Sequence, residues 1–104
     1  MKKAAVFLAD GFEEVEALAP IDMLRRAGVE VTTVSIKEDL NVTASHNIVI
    51  KADKSFEEVS YDEMDMLILP GGGLGTENLE KCEKLIETLK KADAAGKYLS
   101  AICA

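Results

Sequence analysis

The amino-acid sequence predicts an α/β domain with a mainly parallel sheet. Short apolar runs of strand length alternate with helical patterns along the whole chain, and residues 4–9 are apolar throughout, as expected for a strand covered on both faces. Strands separated by helices form right-handed βαβ units. The 104 residues suffice for one domain with a modest core.

The first third of the chain contains two predicted strands and one long helix. Residues 4–9 form the first strand, and a DG turn leads into a helix over residues 13–27, with acids in its first turn and arginines in its last. Gly28 is the expected stop. Pro20 is expected to kink this helix or divide it in two. Residues 29–36 alternate and are β-branched, so they form the second strand.

The rest of the chain continues the alternation. A break is expected in the long second helix near Cys82, and a turn at His46 between two short strands. The predicted elements are a hairpin in residues 41–53, a short capped helix at 55–58, a buried strand at 64–70, a helix over 74–95 and a last strand, also buried, at 97–102.

This topology predicts where ligands bind. In open parallel sheets they lie beyond the carboxyl ends of the strands. Three loops meet that edge, namely residues 9–16, residues 70–75 and residues 103–104. The sequence therefore brings several acids, a run of glycines and a cysteine to one side of the sheet.

Cys103 has two interpretations. Free cysteines are commonly small buried hydrophobic residues. The position of Cys103 in the chain favours a reactive role, because Cys103 follows a parallel strand where the chain is expected to turn sharply into a helix. A nucleophile at such an elbow projects above the sheet, and helix N–H groups lower the pKa of its thiol.

The glycine run PGGGLG, residues 70–75, matches no phosphate-binding loop. No Lys-Ser/Thr pair follows it, and the dinucleotide spacing is not met. Glycines also allow backbone N–H groups to approach a reacting carbonyl, as in an oxyanion hole. Gly72 and Gly73 are best placed for that role.

The acids of the first helix fall into two groups. Glu13 and Glu14 open the helix and are expected only to complement its dipole. Glu16 shares a helix face with apolar residues. These are Phe12, Ala19 and Met23. A half-buried carboxyl there has a raised pKa and can donate a hydrogen bond to a thiolate, although a solvated glutamate fits the sequence too.

Other candidates are weaker. His46 is expected to be an exposed turn residue rather than a base. Cys82 is expected to be half-buried on a helix and to serve only in packing. One histidine and two distant cysteines give little material for a metal site, so we expect no metal.

Charge and hydropathy exclude several classes of partner. The formal net charge is −7, so neither nucleic acid nor an anionic membrane is expected to bind. No apolar stretch approaches the length of a membrane span, and no signal peptide is recognisable. We expect a cytoplasmic protein with reduced thiols.

Three stretches together resemble the ThiJ/PfpI superfamily, and within it the branch of the Parkinson-disease protein deglycase. They are residues 4–35, LILPGGG and AICA, in order and spacing. The resemblance implies a flavodoxin-like α/β sandwich with helices on both faces, a homodimer and no cofactor. It also implies that Cys103 is a readily oxidised nucleophile, that Glu16 is the protonated acid beside it, and that Gly72, Gly73 and Ala104 supply backbone donors.

The resemblance also predicts that residues 1–104 are the N-terminal portion of a single domain, ending at the nucleophile elbow. Chains of this superfamily continue past the cysteine with a helix and further strands. The rest of the protein is then expected to be present as a second chain, or the backbone is expected to be broken at the strained nucleophile elbow. Without it, the sheet exposes an apolar face and an unpaired edge.

Four functions are compatible with these residues. The first is a glyoxalase- or deglycase-like enzyme in which Cys103 attacks a small reactive carbonyl. The second is a redox sensor or chaperone whose Cys103 is oxidised. The third is a PfpI-like peptidase or amidase, which needs an activating histidine that His46 is badly placed to supply. The fourth is a flavodoxin-like binding module without catalysis, although no loop here suits a flavin or nucleotide.

Overall fold

The computed structural model describes residues 2–101. Its main sheet has five parallel strands in the order β5-β2-β1-β6-β7, and β3 and β4 form a separate antiparallel hairpin. The strands are β1 Lys3–Leu8, β2 Glu30–Ser35, β3 Asn41–Thr43, β4 Val49–Lys51, β5 Lys54–Ser55, β6 Met66–Leu69 and β7 Tyr98–Ala101. The helices are α1 Glu14–Arg26, α2 Gly73–Glu80 and α3 Glu83–Ala94, with 3-10 turns at Phe56–Glu58 and Tyr61–Glu63.

The central strand β1 is buried on both faces. Ala4, Val6 and Leu8 pack on the side covered by α1 and the β3–β4 hairpin. Ala5 and Phe7 pack on the side covered by α2, α3 and the 3-10 turns. Alternate residues of a strand point to opposite faces, so an all-apolar β1 joins two cores. The predicted parallel α/β sheet with helices on both faces is confirmed.

Of the two outcomes expected at Pro20, a kink or a division of the first helix, the division does not occur. Helix α1 runs without interruption from Glu14 to Arg26 with Pro20 inside it. Proline removes one backbone hydrogen bond. Ala17 and Ile21, on either side of Pro20, are buried against the sheet, and their packing holds the helix together across it.

The predicted break in the second helical region is confirmed. Helix α2 ends at Glu80, α3 begins at Glu83, and Cys82 between them is half-buried against the second core, as predicted. None of the helices within residues 2–101 has the length and hydropathy needed to cross a bilayer.

Strand β7 is less buried than its sequence predicts. All four of its residues are exposed, including Tyr98 at 71% and Leu99 at 44%. Within residues 2–101, β7 is the last strand on its side of the sheet and pairs only with β6. An apolar strand at such an edge is a surface that another segment can cover.

The loops after β1 and β6 touch backbone to backbone. Gly72 has φ +106°, and a Cβ there would lie 2.6 Å from the Gly11 carbonyl oxygen. A Cβ on Gly75 would lie 2.7 Å from the Cα of Phe12. The Glu13 amide donates to the Gly71 carbonyl at 3.0 Å, and the Gly75 amide donates to the Gly11 carbonyl at 3.2 Å. Only glycine permits this approach.

We predict that Gly75→Ala destabilises the protein by about 1–3 kcal/mol, the usual cost of overpacking a closely packed site. The added methyl group must displace the backbone of Phe12, which cannot move aside as a flexible side chain can. Urea unfolding of the complete protein, followed by circular dichroism, measures the change.

Gly73→Ala is the matched control. Gly73 is exposed, lies in the same helix and has no atom within 4 Å of an added Cβ. This variant is expected to be as stable as the wild type or up to about 1 kcal/mol more stable, because it reduces the entropy of the unfolded chain. Equal unfolding midpoints for the two variants would contradict the proposed contact.

Candidate active site

The carboxyl ends of β1, β6 and β7 lie side by side in the sheet. The loops that follow β1 and β6 are in backbone contact, as described above, and α1 and α2 begin directly beyond them. Ala101, the last residue of β7, pairs with Leu69 at the end of β6. Cys103 and Ala104, predicted as nucleophile and backbone donor, lie outside the described residues.

Glu16 lies in the first turn of α1 and is half-buried. Its Oε1 atom is shielded from solvent and has no hydrogen-bond partner among residues 2–101. Glu16 borders an open cleft of about 460 Å³ between α1 and the strands β6 and β7. The cleft is mostly apolar, and its other lining residues include Ala19, Met23, Met66 and Ile68.

The surroundings of Glu16 match the apolar helix face expected from sequence. A buried polar atom normally has a partner, so an oxygen without one marks a place where a donor or acceptor from elsewhere can bind. Oε1 of Glu16 is therefore available to form a hydrogen bond with a group placed above this edge of the sheet.

Gly72 and Gly73 present backbone N–H groups at the same edge. Gly72 is the N-cap of α2 and Gly73 is its first residue, where amides have no partner in the preceding turn. Within residues 2–101, neither amide donates to a protein acceptor. Both can stabilise negative charge on an oxygen bound there.

A charged cluster that the sequence did not reveal lies beside this edge. The Glu14 carboxylate accepts hydrogen bonds from the Ser45 hydroxyl at 3.0 Å, the His46 amide at 2.8 Å and His46 Nδ1 at 2.9 Å. Glu13 Oε2 lies 3.4 Å from His46 Nδ1. Ser45 and His46 form the turn of the β3–β4 hairpin.

The expectation that Glu14 only complements the helix dipole is therefore wrong. The Glu14 side chain is 7% exposed, because the hairpin packs over the start of α1. Glu13 does act as the helix N-cap, since its Oε1 accepts from the Val15 amide at 3.0 Å. His46 is an exposed turn residue, as expected, but its ring is held by Glu14.

These contacts shift two pKa values in opposite directions. Burial raises the pKa of Glu14, but the hydrogen bonds from His46 and Ser45 outweigh it and lower that pKa to about 2. The hydrogen bond to Glu14 raises the pKa of His46 above 6.5, and the negative charges of Glu14 and Glu13 add to this effect. Glu14 is therefore ionised near neutral pH, and its carboxylate favours the protonated form of His46.

One group of potential metal ligands occurs within residues 2–101. Single ligand atoms from Glu13, Glu14 and His46 lie within 4.8 Å of one another. Both oxygens of Glu14 already accept hydrogen bonds from the hairpin. We therefore describe this group as an ion-pair network and assign it no metal.

Comparison with known proteins identifies relatives for almost the entire chain. The model of the DJ-1/PfpI family matches residues 2–104. The sequence is 38% identical to the Parkinson disease protein 7 homolog of Danio rerio, over 99% of this chain and 55% of that protein. It is also 38% identical to a deglycase of Pyrococcus abyssi, over 97% of this chain and 60% of that protein.

Solved structures of DJ-1 proteins are also similar to this chain. The chain superimposes on oxidized DJ-1 of Toxoplasma gondii with a TM-score of 0.95, at 38% identity, covering all of this chain and 56% of that one. DJ-1beta of Drosophila melanogaster gives a TM-score of 0.95 at 35% identity, covering 99% of this chain and 55% of that one. The predicted flavodoxin-like architecture is confirmed, and the chain spans a little over half the length of these relatives.

We predict that the coupling free energy between Glu14 and His46 depends on pH. The pKa of His46 is raised, so its contribution to stability is complete below about pH 6.5 and is lost as the pH rises through the higher folded-state value. The pKa of Glu14 is lowered to about 2, so its contribution is complete above about pH 4.5 and is lost as the pH falls towards 2. Coupling is thus greatest between about pH 4.5 and 6.5.

A double-mutant cycle with Glu14→Gln and His46→Gln, measured by urea unfolding from pH 5 to 9, tests this prediction. The exposed Asp22–Arg26 pair on α1 is the matched control. Its coupling is expected to be small and constant from about pH 5 to 9, as for other surface pairs. A Glu14–His46 coupling that does not decline above pH 7 would contradict the assignment.

Proposed function

Since this chain belongs to the DJ-1/PfpI family, we propose that the complete protein is a cysteine-dependent enzyme acting on reactive carbonyls, such as α-oxoaldehydes or early glycation adducts. The observation that carries the proposal is the solvent-shielded Oε1 of Glu16, which lies at the sheet edge where α2 begins. Among residues 2–101 neither this oxygen nor the Gly72 and Gly73 amides have a hydrogen-bond partner. The identity to the Pyrococcus abyssi deglycase supports it.

The proposed reaction begins with the thiolate of Cys103. It attacks the aldehyde carbon, a C–S bond forms, and the carbonyl electrons move to oxygen. The Gly72 and Gly73 amides, with that of Ala104, stabilise the oxyanion, and Glu16 supplies the proton that completes the hemithioacetal. With methylglyoxal, the proton on this carbon is then removed and the neighbouring carbonyl oxygen is protonated, which gives an enediol. Reprotonation at the neighbouring carbon and loss of the proton from the first hydroxyl group give a lactoyl thioester, and water hydrolyses it to lactate and the free Cys103 thiol.

A redox sensor or chaperone is the second candidate function. A thiol with a lowered pKa is also readily oxidised, and the similar Toxoplasma gondii structure is described as oxidized. In this function Glu16 and the glycine amides stabilise the oxidised sulfur, with no turnover.

A peptidase or amidase is less well supported. That chemistry needs a histidine that activates the thiol. The single histidine of this chain, His46, already directs Nδ1 at the buried Glu14 carboxylate.

We predict that Cys103→Ser and Glu16→Gln each abolish conversion of methylglyoxal to lactate by the complete protein. The first substitution removes the nucleophile. The second removes an acid–base group, and loss of such a group typically lowers the reaction rate by about 10²- to 10⁴-fold. Lactate formation measured enzymatically checks both variants, and Cys82→Ser is the matched cysteine control with expected wild-type turnover.

Turnover that survives Cys103→Ala would rule the mechanism out. Peroxide titration followed by mass spectrometry then separates the second candidate function. Stoichiometric gain of two oxygen atoms at Cys103, with negligible turnover of methylglyoxal, would favour the sensor.

The partner proposed for this chain is the polypeptide equivalent to the remaining part of its relatives, as a second chain or a continuation. The exposed strand β7, with Tyr98 and Leu99, offers an edge and an apolar surface for it. A homodimer is proposed as well, supported by exposed apolar side chains on α1. These are Val15, Leu18 and Met23.

We predict that protein isolated from its natural source contains this additional polypeptide. Denaturing gel electrophoresis and intact-mass analysis are expected to show a longer chain or two chains, and sedimentation is expected to show a dimer of that unit. A single 11.2 kDa species that is soluble and folded by itself would contradict the proposal.

A further inference from the structure

We propose that Glu14 and the hairpin turn at Ser45 and His46 position Glu16, by fixing the rotation of α1 about its own axis. Glu14 and His46 are positioning residues and need not touch the substrate. The proposal rests on the role given above to Glu16 in the reaction of Cys103.

The two glutamates point to opposite sides of α1. Glu14 and Glu16 are two residues apart in α1, and side chains at that spacing lie on nearly opposite sides of a helix. Glu14 faces the hairpin, and Glu16 faces the cleft beside β6. Rotation of the helix therefore moves both carboxylates together, in opposite directions.

Several hydrogen bonds resist rotation of α1. Glu14 is anchored by three donors from two consecutive hairpin residues. The Ser45 amide also donates to the Phe12 carbonyl at 2.8 Å, and the Thr43 carbonyl accepts from the Gly11 amide at 2.8 Å. The hairpin thus holds both the helix start and the loop before it, while the Glu13–Gly71 hydrogen bond holds the opposite side.

A small rotation of α1 displaces the Glu16 carboxylate far enough to change a reaction rate. At a radius of about 5–6 Å from the helix axis, a rotation of about 10° displaces a carboxylate by about 1 Å. A misplacement of that size in a reacting group can reduce a rate by about 10²-fold. Oε1 of Glu16 has no partner among residues 2–101, so none of these residues corrects its position locally.

The contact between Glu14 and His46 is also expected to depend on pH. Within residues 2–101, the ionised groups in contact with His46 are Glu14 and Glu13, both at the start of α1. Deprotonation of His46 leaves its ring a weaker donor to Glu14. The position of Glu16 is therefore expected to loosen as the pH rises through the pKa of His46, which lies above 6.5.

The test uses the complete protein with the variants Glu14→Gln, His46→Gln and His46→Arg. We expect the first two to lower kcat by about 10- to 100-fold with KM little changed. The guanidinium group introduced in the third variant is a cation at every pH used, so His46→Arg is expected to retain activity and to lose the decline of kcat above about pH 6.5.

The matched control is Glu58→Gln. Glu58 also accepts from a backbone amide and a hydroxyl, those of Ser55, and these hydrogen bonds likewise lower its pKa. It belongs to the 3-10 turn after β5 and to neither loop of the site. Its variant is expected to retain wild-type kcat.

A second readout does not need turnover. The rate of alkylation of Cys103 as a function of pH gives the pKa of its thiol, and Glu14→Gln is expected to shift that pKa in the same direction as Glu16→Gln. If Glu14→Gln lowers only the melting temperature and leaves kcat and the thiol pKa unchanged, the positioning role is overturned.

The two readouts keep the proposals separate. Turnover that survives Cys103→Ser refutes the proposed function alone, and the positioning role is then decided by the alkylation of Cys103. A thiol pKa that responds to Glu16→Gln but not to Glu14→Gln or His46→Gln refutes the positioning role alone.

Discussion

The backbone contact between the loops after β1 and β6 is the constraint on which the rest of the site depends. Gly72 and Gly75 bring these loops within hydrogen-bonding distance because neither carries a side chain. This contact sets where α1 and α2 begin. It thereby places the Glu16 carboxyl and the first amides of α2 at one edge of the sheet.

Those two loops are held by different forces on their two sides. On the inner side, the contact is between backbones and leaves no room for a methyl group. On the outer side, the β3–β4 hairpin is held by hydrogen bonds to the buried Glu14 carboxylate. A buried carboxylate is stable only when its hydrogen-bonding capacity is met, and Ser45 and His46 meet it here. The site is therefore held by close backbone packing on one side and by hydrogen bonds to a buried carboxylate on the other.

The elements of this fold were largely predictable because their causes are local. The apolar run of β1, the glycine after α1 and the helix break at Cys82 are properties of neighbouring residues, and each lies where expected. Pro20 did not divide α1, because burial of Ala17 and Ile21 against the sheet outweighs the loss of one hydrogen bond. Strand β7 was expected to be buried, but burial depends on what lies beside a strand, which its own sequence does not specify.

The sequence by itself determined the parallel α/β architecture, the edge at which Glu16 and the glycine run meet, and the apolar face that carries Glu16. Periodicity and the rule that ligands bind at the carboxyl ends of strands suffice for these. Only the tertiary structure decided the role of Glu14. Its partner His46 is 32 residues away, in a hairpin whose docking on α1 depends on the packing of Val42 and Ala44 into the core. A pairing of that range leaves no periodic pattern, since it follows from how separate elements pack and not from the order of neighbouring residues.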